Sequence, residues 1–126
     1  MVVSLVDTSI VIDILRRYPP SLTWLQDQSQ QIGITRYVWF EVLEGSGNRQ
    51  EQKAAIRVLD KFELVSTTDA DVEWATAAFL YHYLKSNTDA FDCLIAATSQ
   101  RLQVPLYTRN LKHFTPLIGE LAEQPY

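Results

Sequence analysis

Short apolar runs alternate with helix-like segments along the whole of this chain. The first run, Val2–Val6, is continuous and rich in β-branched residues, as in strands buried on both faces of a sheet. Similar runs follow at residues 31–35, 64–65 and 104–108, and an edge strand is expected around residues 120–122. Such alternation is typical of parallel strands joined by crossover helices. We therefore predict an α/β fold of three layers, α/β/α, around a central, mostly parallel sheet of four or five strands.

Length and composition are those of an ordinary globular protein. A chain of 126 residues fits one domain, with a core that needs no disulfide. Cys93 is the only cysteine, which is typical of a reducing compartment, and we expect it to be buried and unreactive. No apolar run reaches the ~18 residues that span a bilayer, and the first residues lack the basic start of a signal peptide. We predict a single domain over residues 1–126, in the cytoplasm and without a membrane span.

The formal net charge of −4 argues against a general polyanion-binding surface. It is compatible with a nucleic-acid substrate held through a metal ion, because the carboxylates of such a site add negative charge themselves. Composition does not separate these two cases.

Asp7 stands where the first strand turns into a helix. Thr8 and Ser9 are good N-cap residues for a helix that we expect over Ile10–Arg17. Ligands of open α/β sheets gather beyond the carboxyl ends of the strands, which favours a functional role for this acid. Aspartate is also a common capping residue, and that interpretation stays open at this point.

Two further acids stand among large apolar residues. Glu41 belongs to a helix over residues 36–45, where it shares one face with Tyr37, Phe40 and Glu44. Asp92 follows Phe91, one turn inside a helix that starts near Asp89, in a segment that we expect to be buried. Capping explains Asp89 but not Asp92. A buried carboxylate is costly unless it is paired or bound to a cation.

A parallel sheet can bring Asp7, Glu41 and Asp92 to one edge. At close range their mutual repulsion requires raised pKa values or a bound divalent cation. Oxygen ligands without a Cys or His cluster suit Mg²⁺ or Mn²⁺. Carboxylate sites of this kind activate water for phosphodiester hydrolysis. The three acids therefore predict a metal-dependent hydrolytic site, where Asn110, placed after a later strand, could orient a ligand.

The chain resembles the PIN-domain ribonucleases, and among them the VapC toxins of toxin–antitoxin pairs. Four segments carry the resemblance in the family's order: Leu5–Ser9, Glu41–Gly45, Asp92–Thr98 and Leu106–Asn110. Together they cover nearly the whole chain. The resemblance implies a PIN-like fold and an endoribonuclease that uses Mg²⁺ or Mn²⁺, with water as the nucleophile. Its carboxylate centre would consist of Asp7, Glu41 and Asp92.

Supporting residues and partners also follow from the resemblance. The site would be supported by Thr8, Ser9, Asp89 and Asn110, and RNA phosphates would be contacted by Arg16, Arg36, Arg109 and Lys112. The family implies a homodimer and a cognate antitoxin whose carboxyl-terminal segment lies in a groove of the early helices. That groove could include Tyr18, Trp24 and Trp39, for which core packing is the alternative interpretation.

The chain departs from the family pattern at two positions. Asn110 stands where many members have a fourth aspartate, so the number of bound metal ions, one or two, stays open. His113 stands where many members have an aspartate shortly afterwards, and its role also stays open.

Other interpretations remain to be weighed against the nuclease. A haloacid-dehalogenase-like phosphatase is disfavoured because the residue two beyond Asp7 is Ser9, not a second aspartate. That phosphatase and a phospho-acceptor receiver domain would both also require a lysine after a later strand, and this chain has none in the expected place. A non-catalytic PIN-like module, whose acidic pocket holds a basic partner segment, is the alternative from another class. Metal-dependent RNA cleavage discriminates it from the nuclease.

Overall fold

The computed structural model describes every residue from Met1 to Tyr126. Its strands are β1 (Ser4–Val6), β2 (Ile32–Thr35), β3 (Glu63–Val65), β4 (Leu106–Tyr107) and β5 (Ala122–Glu123). Its α-helices are α1 (Thr8–Leu15), α2 (Pro19–Gln26), α3 (Arg36–Glu44), α4 (Arg49–Leu59), α5 (Asp69–Ser86), α6 (Ala90–Leu102) and α7 (Leu111–Ile118). A short 3₁₀ helix over Gly119–Leu121 precedes β5.

The five strands form one sheet in the order β3-β2-β1-β4-β5, and all neighbouring pairs are parallel. This confirms the predicted three-layer fold. The central strand β1 is fully buried, and its register pairs Val6 with Tyr107 of β4. Asp7 and Thr108, the next residues along each strand, therefore leave the sheet side by side.

Close packing of β2 against its neighbours depends on Gly33. A Cβ atom at this position would lie 2.7 Å from Val65 Cγ2 and 3.0 Å from Leu5 Cδ2. Such distances are shorter than van der Waals contact, so any larger residue would push β2 away from β1 and β3. Glycine thus sets the spacing in the half of the sheet that leads into α3.

Several element boundaries differ from those expected. Asp7 itself is the N-cap of α1, because its carboxylate accepts a hydrogen bond from the backbone N of Ser9 at 3.0 Å. Helix α2 begins at Pro19, since proline lacks the N–H that a first turn leaves unpaired. Helix α7 contains an internal proline, Pro116, whose cost is offset by the burial of Phe114 and Ile118.

Helix α5 is long and mostly exposed. Among the protein's secondary-structure elements its main packing partner is α6, and only Asp71 and Ala75 of its residues are buried. Leu84 is 91% exposed. Neither α5 nor any other helix is both long and apolar enough to cross a membrane.

An ion pair between the buried Asp71 and the exposed Arg101 connects α5 to α6. Asp71 is 1% exposed, and its carboxylate accepts a hydrogen bond from Arg101 Nε at 2.8 Å. The same carboxylate closes a capping box by accepting from the backbone N of Thr68 at 3.0 Å. Arg101 also donates to the carbonyl oxygen of Ser66 at 3.1 Å. Asp71 is therefore a structural acid.

Cys93 is buried in α6, as predicted. Burial, with smaller effects of nearby acids, raises the pKa of its thiol to about 11. The thiolate needed for nucleophilic chemistry is therefore not formed near neutral pH.

Candidate active site

Asp7 is held at the carboxyl edge of the sheet by hydroxyl groups. Its side chain is 3% exposed, and one carboxylate oxygen accepts from both the backbone N and the hydroxyl of Ser9. The other oxygen accepts from Thr108 Oγ1 at 2.8 Å. Burial raises the pKa of Asp7, and the hydrogen bonds from Ser9 and Thr108 lower it in part. The structure thus fixes this carboxylate in one orientation without a cationic partner.

Thr108 is a site residue that the sequence analysis missed. It is fully buried, its backbone N donates to Glu123 O at 2.8 Å, and its Oγ1 accepts from Asn110 N at 2.8 Å. These bonds aim its hydroxyl at Asp7. One signal was available, because Thr108 directly follows a strand as Asp7 does.

Glu41 reaches the same edge from α3. Thr8 Oγ1, at the start of α1, donates to Glu41 Oε1 at 2.7 Å and so links the two helices. The expectation that Glu41 is embedded among apolar groups is wrong, because its side chain is exposed. Its aromatic neighbours on α3 line an open cavity instead of covering it.

Asp92 lies in the first turn of α6, half-buried. Burial raises its pKa to about 6, the charge of Asp89 adds to the effect, and His113 opposes it. The charges of Glu41 and Asp7 also raise this pKa. The predicted acids therefore share one electrostatic neighbourhood.

Asp89 is the N-cap of α6 and positions the turn that carries Asp92. Its Oδ1 accepts from the backbone N of Phe91 at 2.7 Å and of Asp92 at 3.3 Å. Thr88, which could also have capped this helix, does not occupy the N-cap position.

The three carboxylates do not form a ready-made ion cage. No three Asp, Glu, His or Cys side chains lie close enough together, as they stand, to hold one metal ion. Like charges repel, and each carboxylate faces its own partner: Asp7 faces Ser9 and Thr108, Glu41 faces Thr8, and Asp92 faces His113 at 3.5 Å. The donor set is nevertheless made of oxygens only, which fits a hard divalent cation.

Arg109 is engaged within the protein. Its Nη1 donates to Asp13 Oδ2 at 2.9 Å, and its guanidinium lies 5.0 Å from the ring centroid of Tyr18. Tyr126 completes the cluster, because its hydroxyl donates to the same Asp13 oxygen at 2.7 Å. The backbone N of Arg109 donates to Ser9 Oγ at 3.1 Å. The structure thus gives Arg109 a role in holding the loop beside Asp7, and a phosphate contact remains a prediction.

The other cationic candidates are exposed and differently placed. Arg36 lies over the ring of Trp39, 5.0 Å from its centroid, and Arg16 ends α1. Lys112 lines a polar cavity of about 400 Å³ beside Asp92, which also includes Asn87 and His113. Lys112 is therefore the candidate placed to meet a phosphate near the acids.

A second cavity adjoins the acids on the side of α3. It measures about 320 Å³ and is lined by Tyr37, Phe40, Glu41, Glu44 and Phe91. The carboxylate centre therefore lies between a polar cavity that includes Asp92 and an aromatic cavity that includes Glu41.

The metal-free protein is expected to become less stable as the pH rises, because Asp92 loses its proton in a site that disfavours its charge. The folded protein keeps this proton up to about pH 6, whereas an ordinary aspartate releases it near 3.8, so the charged form weakens the fold. Asp92→Asn removes the penalty. The free energy of unfolding of the variant, relative to wild type, should increase by about 1–3 kcal/mol from about pH 4 to about pH 7. Denaturant unfolding in chelator measures it; the exposed Asp60→Asn is the control, and parallel pH profiles of variant and wild type would contradict the expectation.

Comparisons with known proteins agree on one family. The sequence profile of the PIN domain matches residues 4–114. Ribonuclease VapC19 of Mycobacterium tuberculosis (strain CDC 1551 / Oshkosh) is 30% identical over 127 residues, which cover 97% of this chain and 98% of that protein. A toxin–antitoxin complex from Klebsiella pneumoniae superposes with a TM-score of 0.81 at 24% identity, covering 98% of both chains. VapBC2 from Rickettsia felis, bound to a DNA fragment from their promoter, gives a TM-score of 0.80 at 17% identity, again covering 98% of both chains.

Proposed function

The chain belongs to the PIN-domain family, and we propose that it is a divalent-metal-dependent endoribonuclease, the toxin of a toxin–antitoxin pair. One observation supports the proposal: Asp7, Glu41 and Asp92 stand near enough to one another at the carboxyl edge of a parallel sheet that the charges of Glu41 and Asp7 raise the pKa of Asp92. The matched family region spans all three positions. The reaction is hydrolysis of an RNA phosphodiester bond by water.

The carboxylates of Asp7, Glu41 and Asp92 are the residues that would hold Mg²⁺ or Mn²⁺. When bound, such an ion stabilises the charge that develops on the phosphate and activates water for attack. Ser9 and Thr108 keep Asp7 in place, while Thr8 restrains Glu41. Asp92 binds a cation only when ionised, so protons compete with the ion for this carboxylate and binding weakens as the pH falls.

Asn110 and Asp89 support this site by positioning the residues beside the carboxylates. The backbone N of Asn110 fixes the Thr108 hydroxyl, and its amide side chain makes no capping bond and is available to a ligand. Asp89 holds the first turn of α6 and adds negative charge next to Asp92.

Removal of divalent metal is expected to abolish RNA cleavage, because the carboxylates alone repel the phosphate and activate no water. The experiment incubates purified protein with single-stranded RNA after chelation, and then with added Mg²⁺ or Mn²⁺. Cleavage should disappear with chelator and return with either ion. Cleavage that persists in chelator contradicts the metal proposal. No cleavage with metal, together with tight binding of a basic peptide, favours the non-catalytic module instead.

Lys112→Met is expected to weaken RNA binding about equally for all sequences, because a phosphate contact carries no base information. Each lost contact lowers the slope of log K against log salt by about 0.7 for a single strand. Fluorescence anisotropy at several salt concentrations measures this, in an Asp7→Asn background that prevents cleavage. Lys53→Met, on the exposed side of α4, is the matched control. An unchanged salt slope in Lys112→Met would remove this residue from the interface.

The proposed partners are a cognate antitoxin and a second copy of the chain. A surface cavity of about 530 Å³ on α2, lined by Pro20, Trp24 and Tyr126 among others, supports an antitoxin groove on the early helices. Trp39 does not line this cavity, since it packs against Phe40 and under Arg36. The exposed large apolar residues of α5, among them Leu80 and Leu84, support a homodimer, because such residues in number often mark a protein–protein interface.

A further inference from the structure

Two phenylalanines stand directly before the candidate metal ligands. Phe40 precedes Glu41 in α3, and Phe91 precedes Asp92 in α6. Their side chains are 53% and 52% exposed, although Phe91 was expected in a buried segment. Single exposed apolar residues are common, but these two face the same cavity beside the carboxylates. Core packing therefore does not account for this pair.

The aromatic cavity, lined by Tyr37, Phe40, Glu41, Glu44 and Phe91, is preformed by the contact of α3 with α6. The rings of Tyr37 and Phe91 lie with centroids 6.0 Å apart and planes inclined by 45°. The ring of Trp39 packs edge-on against Phe40, with ring centroids 5.3 Å apart. A volume of about 320 Å³ lies in the range of small-molecule sites.

We propose that the aromatic cavity binds an unstacked base of single-stranded RNA, next to the phosphate that is cleaved. This inference rests on the proposed ribonuclease function and names the form of its substrate. Every base has a π face that stacks on an aromatic ring, and single-stranded RNA offers its bases for such stacking. Glu41 belongs both to the cavity and to the carboxylate centre, so a phosphate at that centre places its own nucleotide at the cavity.

The negative charge at the aromatic cavity favours an uncharged base over a phosphate of the RNA backbone. Glu41 and Glu44 at its rim repel a phosphate, and none of its lining residues is a cation. The phosphates instead have Lys112 available in the polar cavity on the Asp92 side. A second copy of this chain is the competing occupant. It has a more apolar surface available on α5, where Leu80 and Leu84 are exposed.

The test couples a change in the protein to a change in the RNA. A single-stranded RNA that the wild type cleaves is prepared as a set in which one nucleotide at a time lacks its base. Wild-type kcat/KM should fall by about 5- to 100-fold when the missing base is the one that occupies the cavity. Phe91→Leu, which keeps an apolar side chain but removes the ring, should show a similar fall with intact RNA and no further loss with that abasic RNA. Phe91→Trp should restore the sensitivity.

Tyr81→Leu is the matched control, because it removes an exposed ring on α5 outside the aromatic cavity. Tyr81→Leu should change kcat/KM by the same factor with intact RNA and with the abasic RNA. If Phe91→Leu and every abasic position also act independently, no base occupies the cavity. If Phe91→Leu instead dissociates an oligomer in sedimentation velocity, and high protein concentration restores cleavage, a second copy occupies it. Either result overturns the inference about the base, while cleavage by the wild type still supports the ribonuclease proposal. A wild type that cleaves no RNA with Mg²⁺ overturns the inference and the ribonuclease proposal together.

Discussion

Asp7→Asn is expected to lower RNA cleavage by about 100- to 1,000-fold while the protein stays folded. The loss arises because an amide is a weaker ligand for a divalent ion and carries no negative charge to balance that of the ion. The fold survives because the Asn oxygen still accepts from Ser9, and Thr108 Oγ1 is able to accept from the new amide. Without metal the variant should unfold at an equal or higher temperature than wild type, since burial disfavours the charged form of Asp7.

Three measurements separate this effect from misfolding. Cleavage rates of a labelled RNA give the loss of activity, thermal unfolding in chelator gives the stability, and titration calorimetry with Mn²⁺ gives ion binding. Asp92→Asn should behave in the same way, whereas the exposed Asp60→Asn should change none of the three. An Asp7→Asn protein that retains more than about a tenth of wild-type cleavage would contradict its assignment to the carboxylate centre.

Arg101→Met is expected to lower the free energy of unfolding by about 1–3 kcal/mol, because the carboxylate of Asp71 is buried while water partly screens the 34% exposed Arg101. The substitution leaves the buried carboxylate of Asp71 without its cation, and Thr68 and Thr98 alone do not compensate. The same change releases the carbonyl oxygen of Ser66. Helix α5 should therefore loosen from α6 first, which amide hydrogen exchange would detect before global unfolding.

The double variant Arg101→Met with Asp71→Asn tests whether the unpaired charge is the cause. A neutral amide at position 71 needs no cation and keeps an oxygen for the Thr68 cap, so the double variant should recover part of the lost stability. Arg57→Met, at an exposed position of α4, should change stability by less than about 0.5 kcal/mol. Equal losses in the single and double variants would show that Arg101 acts through packing rather than charge.

The architecture was predictable because it depends on local patterns. Buried strands such as β1 read as continuous apolar runs, and a parallel sheet follows when helices separate them. The details at element ends were less predictable. The N-cap of α1 is Asp7 rather than Thr8 or Ser9, because several adjacent residues were able to cap and only the fold selects among them.

Exposure was the other property that sequence pattern misjudged. Leu84 and Phe91 have apolar side chains at helical spacing, which indicates a buried face. Both are exposed, because burial requires a neighbouring element: α5 packs mainly on α6, and Phe91 faces the aromatic cavity beside Glu41. Hydrophobic periodicity identifies a face but not whether anything covers it.

The sequence by itself determined which acids stand at the ends of strands and in the first turns of helices, since strand and helix positions follow from short-range propensity. Only the tertiary structure decided what each acid touches. Thr108 and Asp7 are 101 residues apart in the chain and meet because the β1–β4 register places them side by side. It also decided which hydroxyl or imidazole each carboxylate faces: Ser9 and Thr108 for Asp7, Thr8 for Glu41 and His113 for Asp92. Contacts of this range depend on strand order and register, which no local stretch of sequence contains.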